Sequence, residues 1–385
     1  MPFWNARTYA ALVRSCCLGR VVAGPDVSRL EERLAAHFSV ASAIACDSGR
    51  AALELALRAT GVRAGDEVVL PTFCCVSIVP PVLAIGAVPV LADVGGDLAL
   101  TADTVEAACS PRTRAVVLAH LFGNPAPIDR IAAVCRRRGI ALIDDAAQAL
   151  GATLDGQPLG TFGDAGVVSF GNGKVCFGTG GGVFVSRDPE VLARAKAVAF
   201  APPDAGTALK RAATALVWRR WRRWSLPVKV AWTRVRGEPA QETYAGRAMS
   251  NLDAAVALTL LDSLEANLAA RRARVEAYQR LLGGQRKFAL VPHRPESACL
   301  TQLVDFRQDE PLTLKVVEVL RDAGYEVDRS FRPLHLQDSY RKFASGSLPV
   351  AERMWSSLVE LPCEPSVALD DVGRIAALIC GTAGN

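Results

Sequence analysis

The chain has 385 residues, half of them apolar and 22% charged, with a net charge of +5. That composition excludes a disordered or fibrous protein and leaves room for one large or two medium domains with an ample core. Nine of the 44 basic residues fall within 209–236 with no acid among them, leaving 35 against 39 acids, a net of −4, elsewhere. The basic balance is therefore local, and no general nucleic-acid footprint is expected.

From about residue 40 to 185, short β-branched runs alternate with helical ones. "SAIAC" (42–46) reads as a strand and "SGRAALELALRATG" (48–61) as a helix. "DEVVLP", a helix and "AVPVLADV" follow, then "TRAVVLAHLFG", a helix around 127–138, "IALIDDAA", "AGVVSF" and "GGVFVSR". The uncharged run 68–92 is long enough to cross a bilayer, but its four prolines (Pro71, Pro80, Pro81 and Pro89) read better as strand, helix and strand of a buried core. Strands alternating with helices predict an α/β fold with a mostly parallel sheet covered on both faces. A different segment begins near 205 and ends in the polar, glycine-bearing "RGEPAQETYAGRAMS". Beyond it lie a long helix over 251–282, the strand-like "ACLTQLVDF" and helices at 311–323 and 348–358, a smaller α+β unit. The predicted division is a large domain over 1–243, carrying an insertion at 205–240, and a C-terminal domain over 244–385.

Eleven cysteines form no CxxC pair and no Cys/His cluster, so neither a metal site nor a disulfide framework is expected. Free cysteines in apolar stretches fit a reducing cytoplasm. The first 17 residues lack the continuous apolar run of a secretory signal.

Ligand chemistry in parallel sheets gathers at the carboxyl ends of strands, where Ser48, His120, Asp145 and Ser169 fall. Ser48-Gly49-Arg50 opens a helix directly after a strand, which is an anion site or simply an N-cap. "LIDDAAQ" delivers Asp144 and Asp145 with Gln148 one turn on, either an acidic cap or a carboxylate and amide set for a protonated ring. "SFGNGK" places Lys174 in a glycine-bounded apolar loop; it is a surface lysine or, desolvated, a nucleophile toward aldehydes. A polar-aromatic cluster, "GYEVDRSFRPLHLQDSYRKF", holds Arg332, His335 and Tyr340 and could close over a substrate.

Together with "GPDVSRLEERLAAHF", "GDEVVLPTFCC", "GAVPVLADV", "HLFGNPAPIDRI" and "ELPCEPSVALDDV", these pieces resemble the DegT/DnrJ/EryC1/StrS sugar aminotransferases, fold-type I pyridoxal-phosphate enzymes. The likeness covers most of the chain apart from roughly 203–243. It implies pyridoxal 5'-phosphate attached to Lys174, with Asp145 on the pyridine nitrogen, Gln148 on the ring or its hydroxyl, and Ser48, Gly49, Arg50 and Ser169 on the phosphate. His120, Arg332 and His335 become the substrate candidates. It further implies a homodimer and a ping-pong exchange from an amino acid, usually glutamate, to a keto sugar, most often nucleotide-linked.

Two positions depart from the family pattern. Cys75 stands where an aromatic ring packs on the cofactor. Gly246 replaces an asparagine that reaches the partner subunit's phosphate, with Arg247 as the substitute donor. Those departures keep open a pyridoxal-phosphate enzyme of changed reaction type or lipid-linked substrate, and a non-catalytic, membrane-associated protein of the same fold. The insertion adds a further expectation. On a helix, Trp218, Trp221 and Trp224 of "LVWRRWRRWSLP" (216–227) share one arc and Arg219, Arg220, Arg222 and Arg223 the other. That pattern suits contact of 209–236 with an anionic membrane at its inner face, with the protein's own surface or dimer partner, or with an anionic substrate.

Overall fold

The computed structural model describes residues 4–220 and 244–384. Helices α1 (Ala6–Cys17) and α2 (Asp26–Phe38) lead into β1 (Ala43–Cys46) and α3 (Gly49–Ala59). Then come β2 (Glu67–Pro71), α4 (Val79–Ala84), β3 (Val88–Ala92), α5 (Ala102–Ala108), β4 (Thr113–Ala119), α6 (Ile128–Arg138) and β5 (Ala141–Asp145). A two-stranded hairpin, β6 (Thr153–Leu154) and β7 (Gln157–Pro158), precedes β8 (Ala165–Ser169) and β9 (Gly182–Val185). With α7 (Pro189–Ala197) and α8 (Ala205–Arg220) the first part of the chain ends.

Seven strands form one sheet in the order β1-β9-β8-β5-β4-β2-β3. Neighbours from β8 to β3 are parallel, while β9 runs antiparallel to both β1 and β8. Every residue of β2, β8 and β9 is buried. That is what a sheet covered on both faces requires, and it explains why these strands read as continuous apolar runs. The stretch 68–92 folds as strand, helix and strand, as its prolines suggest.

The predicted helix over 251–282 is broken. α9 (Asn251–Leu261) and α10 (Leu264–Leu282) meet at Ser263, whose φ of −107° and ψ of 7° leave the helical region. The break lets the two helices serve different cores. α9 packs on α1 and α2, and its Leu252, Val256 and Leu260 join the core beneath the large sheet. The boundary drawn at 243/244 therefore separates α9 from the core it completes. α10 starts in that same core at Leu264 and Leu268 and ends in another at Val275, Tyr278 and Leu282. This second core lies against a four-stranded antiparallel sheet, β10-β11-β13-β12, of β10 (Ala289–Leu290), β11 (Thr301–Asp305), β12 (Asp328–Arg329) and β13 (Leu358–Pro362). α11 (Glu310–Asp322), α12 (Pro349–Ser357) and α13 (Leu369–Ala383) complete this region.

No helix among the described residues is long and apolar enough to cross a membrane. The tryptophan and arginine side chains of 218–224 fall outside the described residues, so the membrane contact expected of them has no support from the fold.

Candidate active site

A cavity of about 410 Å³ opens at the carboxyl ends of β1, β4, β5 and β8. Its chemistry begins with two adjacent aspartates that end β5. Successive strand side chains point to opposite faces, so Asp144 and Asp145 cannot share a role. Asp144 is fully buried and fully used. Its Oδ1 accepts from His120 Nε2 (2.6 Å), and its Oδ2 from the N–H groups of Gly160 (2.8 Å) and Phe162 (3.0 Å). His120 Nδ1 in turn accepts from the Ala126 N–H at 2.9 Å. A backbone N–H can only donate, so the ring carries its proton on Nε2 and gives it to Asp144. Both ring nitrogens are occupied, which leaves His120 only a ring face to offer the cavity it lines. Its ring nitrogens leave no free atom for a hydrogen bond to a substrate.

Asp145 faces the cavity with its Oδ1 accepting from the Ala147 N–H at 2.9 Å. Burial pushes its carboxyl above the usual carboxylate range, against the pull of that N–H and of the Lys174 ammonium. Such a carboxylate is poised for a cation. Gln148, also buried, accepts the Phe122 N–H on its Oε1 (3.0 Å), which fixes the amide and leaves its NH2 group as a donor at the cavity wall.

Lys174 sits in the loop between β8 and β9. Its successors Val175 and Cys176 are buried in the core, and the loop backbone is pinned from outside. Asn267 donates to the Val175 carbonyl (2.8 Å), the Trp4 indole to the Phe177 carbonyl (2.8 Å), and the Gly178 N–H to Phe170 (2.9 Å). The backbone is held while the half-buried lysine side chain lines the cavity.

Facing it is the start of α3. Ser48 is an N-cap, its Oγ accepting from the Ala51 N–H at 3.2 Å and donating to Asp47 at 2.9 Å. Anion-binding capacity passes to the start of α3, where Gly49 and Arg50 line the cavity. A Cβ on Gly49 would lie 2.9 Å from Ser169 Cβ and Oγ, so glycine allows the Ser169 hydroxyl to close on the helix start. Ser169 Oγ accepts from the Gly171 N–H (3.2 Å), and its own O–H remains to donate. Helix N–H groups, hydroxyl and dipole thus converge into a cradle for an oxyanion. Cys74 and Cys75 line another part of the cavity, with the Cys75 thiol donating to Ser77 Oγ at 3.3 Å.

Three predicted residues stand elsewhere among the described residues. Arg247 donates to the Pro202 carbonyl at 3.0 Å. Beside it, a Cβ on Gly246 would come within 2.8 Å of Phe200, 2.9 Å of Glu54 and 3.0 Å of Tyr244, so this position has no room for a longer side chain without a shift. Arg332 donates to the Leu336 carbonyl (2.8 Å), with its guanidinium 6.0 Å from the Trp355 ring centre. His335 joins Thr72 Oγ1 (2.7 Å) to Glu352 (3.1 Å), tying the end of β2 to α12. Sequence reasoning missed Asp47, Thr179 and Arg211, which do line the cavity. Asp47 was legible as the neighbour of Ser48; Arg211 was hidden among the surface charges of the insertion.

The profile of the DegT/DnrJ/EryC1/StrS aminotransferase family matches residues 5–380. The chain belongs to that family. Among its relatives, GDP-perosamine synthase of Caulobacter vibrioides is 29% identical over 92% of this chain and 90% of its own length. The dTDP-3-amino-3,4,6-trideoxy-alpha-D-glucose transaminase of Micromonospora megalomicea is 30% identical over 93% and 89%. The solved structure of DesI, obtained in the presence of its TDP-sugar product, superposes with a TM-score of 0.78 at 31% identity, covering 98% of this chain and 91% of that one. The chain is an aminotransferase of fold-type I architecture, as its motifs suggest. The readings of changed chemistry or of a non-catalytic protein are not favoured, since several relatives are named as aminotransferases or transaminases.

Proposed function

We propose that this family member holds pyridoxal 5'-phosphate in the 410 Å³ cavity and moves an amino group from an amino acid, expected to be glutamate, to a keto sugar carried on a nucleotide. The observation that carries the reading is the joint placement of four complementary groups around one cavity. They are an oxyanion cradle, a desolvated carboxylate, an oriented amide donor and a lysine on a pinned loop. Each matches one part of the cofactor: phosphate, ring nitrogen, ring hydroxyl and aldehyde. The substrate class rests on the relatives, whose names specify GDP- and dTDP-linked sugars.

When bound, the cofactor supplies an aldehyde that takes up the amino group and a cationic ring that withdraws electrons from the carbon being deprotonated. Ser169, with the Gly49 and Arg50 N–H groups, would hold the phosphate. Asp145 would keep the ring nitrogen protonated and recover in that pairing what its burial costs. Gln148 would donate to the ring oxygen, and His120 would present its ring face. Lys174 would anchor the cofactor and then, once displaced by the amino donor, carry the proton at its Nζ. A homodimer with sites at the subunit interface belongs to the same reading, although Gly246 gives such an interface no side chain to extend.

Incubation with cofactor, glutamate and a nucleotide-linked 4-keto sugar should yield the amino sugar and 2-oxoglutarate in equal amounts. 2-Oxoglutarate formed without any sugar product, across several keto sugars, would contradict the substrate class. Neither product forming with any amino donor would contradict the activity.

A further inference from the structure

The insertion that interrupts the family pattern begins with α8, and α8 delivers Arg211 to the cavity wall. Its guanidinium grips Asp47. Nη2 donates to Asp47 Oδ2 at 3.0 Å and Nη1 to the Asp47 carbonyl at 2.9 Å. The same carbonyl accepts the Gly181 N–H (2.9 Å), and Asp47 Oδ1 accepts the Ser48 hydroxyl (2.9 Å). Nη1 also lies 3.8 Å from Asp253 Oδ2, and that carboxylate is bonded to Thr179 (2.5 Å) and Ser250 (2.7 Å). A Cβ on Gly180 would sit 3.1 Å from Arg211 Cδ and Nη1, so glycine there gives the guanidinium its room. Four chain segments thus meet on one cation: the end of β1, the glycine loop, the start of α9 and the insertion.

Asp47 poses an electrostatic problem. It immediately precedes the cap of α3, so its carboxylate stands beside the N–H groups that form the oxyanion cradle. It is largely buried, with its side chain 13% exposed, and water screens it poorly. An uncompensated carboxylate there would repel a phosphate and compete for the Ser48 cap. Arg211 cancels the charge and fixes the carboxylate in the orientation that receives the Ser48 hydroxyl.

We infer that Arg211 is a positioning residue of the cradle: by neutralising and orienting Asp47, it makes the start of α3 competent for the cofactor's phosphate and couples the insertion to cofactor affinity. The inference rests on the reading of this cavity as the pyridoxal-phosphate site. Its action runs through Asp47, which distinguishes it from a direct contact and from mere packing of α8.

The test is equilibrium binding of pyridoxal 5'-phosphate and of pyridoxal, which lacks the phosphate, to wild type and variants. Arg211→Gln should weaken the phosphate form about 10- to 100-fold, the scale of a lost charge-assisted contact. Pyridoxal should change by no more than about twofold, because the cradle sees only the phosphate. Arg211→Lys should recover most of the loss. The double variant Asp47→Asn/Arg211→Gln should bind the phosphate form within about threefold of wild type, since the repulsion is then gone. Unchanged affinity in Arg211→Gln, an equal loss for pyridoxal, or no recovery in the double variant would each overturn the inference. If Arg211→Gln does not fold, Asp47→Asn alone decides: affinity equal to or tighter than wild type supports the inference, and weaker affinity overturns it. A wild-type protein that binds no pyridoxal 5'-phosphate would sink the parent reading instead.

Discussion

Two regions of this molecule carry the residue types from which active sites are built, and they differ in what those residues have left to give. At the strand ends of the large sheet, Asp145, Gln148, Ser169 and Lys174 each keep a donor or acceptor turned to the cavity. In the stretch 328–343, Arg329, Arg332 and His335 are committed to the protein. His335 spans Thr72 and Glu352, Arg332 donates to Leu336, and Arg329 pairs with Glu310 (2.6 Å) while lying 4.0 Å from the Trp355 ring centre. The second region behaves as a clasp. Phe331 stacks on Phe122 at 5.6 Å and meets Phe73 edge-on at 6.3 Å, holding the cavity wall from behind. Unspent hydrogen-bonding capacity, rather than residue type, separates a site from a clasp. Asp144 and Asp145 make the same contrast one residue apart.

Substitutions can break that contrast. The largest expected effect among the ring contacts belongs to Asp145→Asn, with a fall of about 100-fold in kcat as the ring nitrogen loses its counter-charge. The cofactor-free protein should respond in the opposite sense. The Asp145 carboxyl is raised in the fold, so the folded chain holds its proton longer than the unfolded one, and stability declines as pH rises from the ordinary carboxylate range through the raised value. Asparagine removes that decline. Thermal melts of cofactor-free protein at neutral pH should place Asp145→Asn above wild type; a melt well below wild type would show the carboxylate to be structural.

Gln148→Leu should cost about tenfold in kcat/KM, the worth of one donor to a charged oxygen together with the buried Phe122 N–H left unpaired. The smallest effect on turnover is expected at the clasp. His335→Ala should leave kcat within about twofold while lowering stability by about 1–2 kcal/mol, through the stranded Thr72 hydroxyl. A large loss of kcat/KM for the sugar at unchanged stability would move His335 into the site after all.

The α/β order of the large sheet was legible because strand and helix periods alternate cleanly up to Val185. Strand direction was not, since nothing in "GGVFVSR" distinguishes antiparallel β9 from its parallel neighbours. The break at Ser263 was hidden for a similar reason. Asp262 and Ser263 lie in a run of alanine and leucine that suits a helix on both sides, and only the geometry of two separate cores separates α9 from α10. At the site, Asp145, which the resemblance places on the ring nitrogen, lines the cavity, while Asp144 is spent on His120. A sequence shows His120 but not the Ala126 N–H and Asp144 carboxylate that occupy its two ring nitrogens. Arg211 escaped notice because a paired arginine and a solvated one look alike among nine cations.

The central claim is that one cavity lysine anchors pyridoxal 5'-phosphate. Purified protein loaded with the cofactor, reduced with borohydride and digested, should carry the phosphopyridoxyl mass on the peptide containing Lys174 and on no other. Adding glutamate before reduction should remove that label, because the amino donor displaces the lysine from the cofactor. Labelling of a different lysine, or no label in protein that shows aminotransfer, would contradict the account.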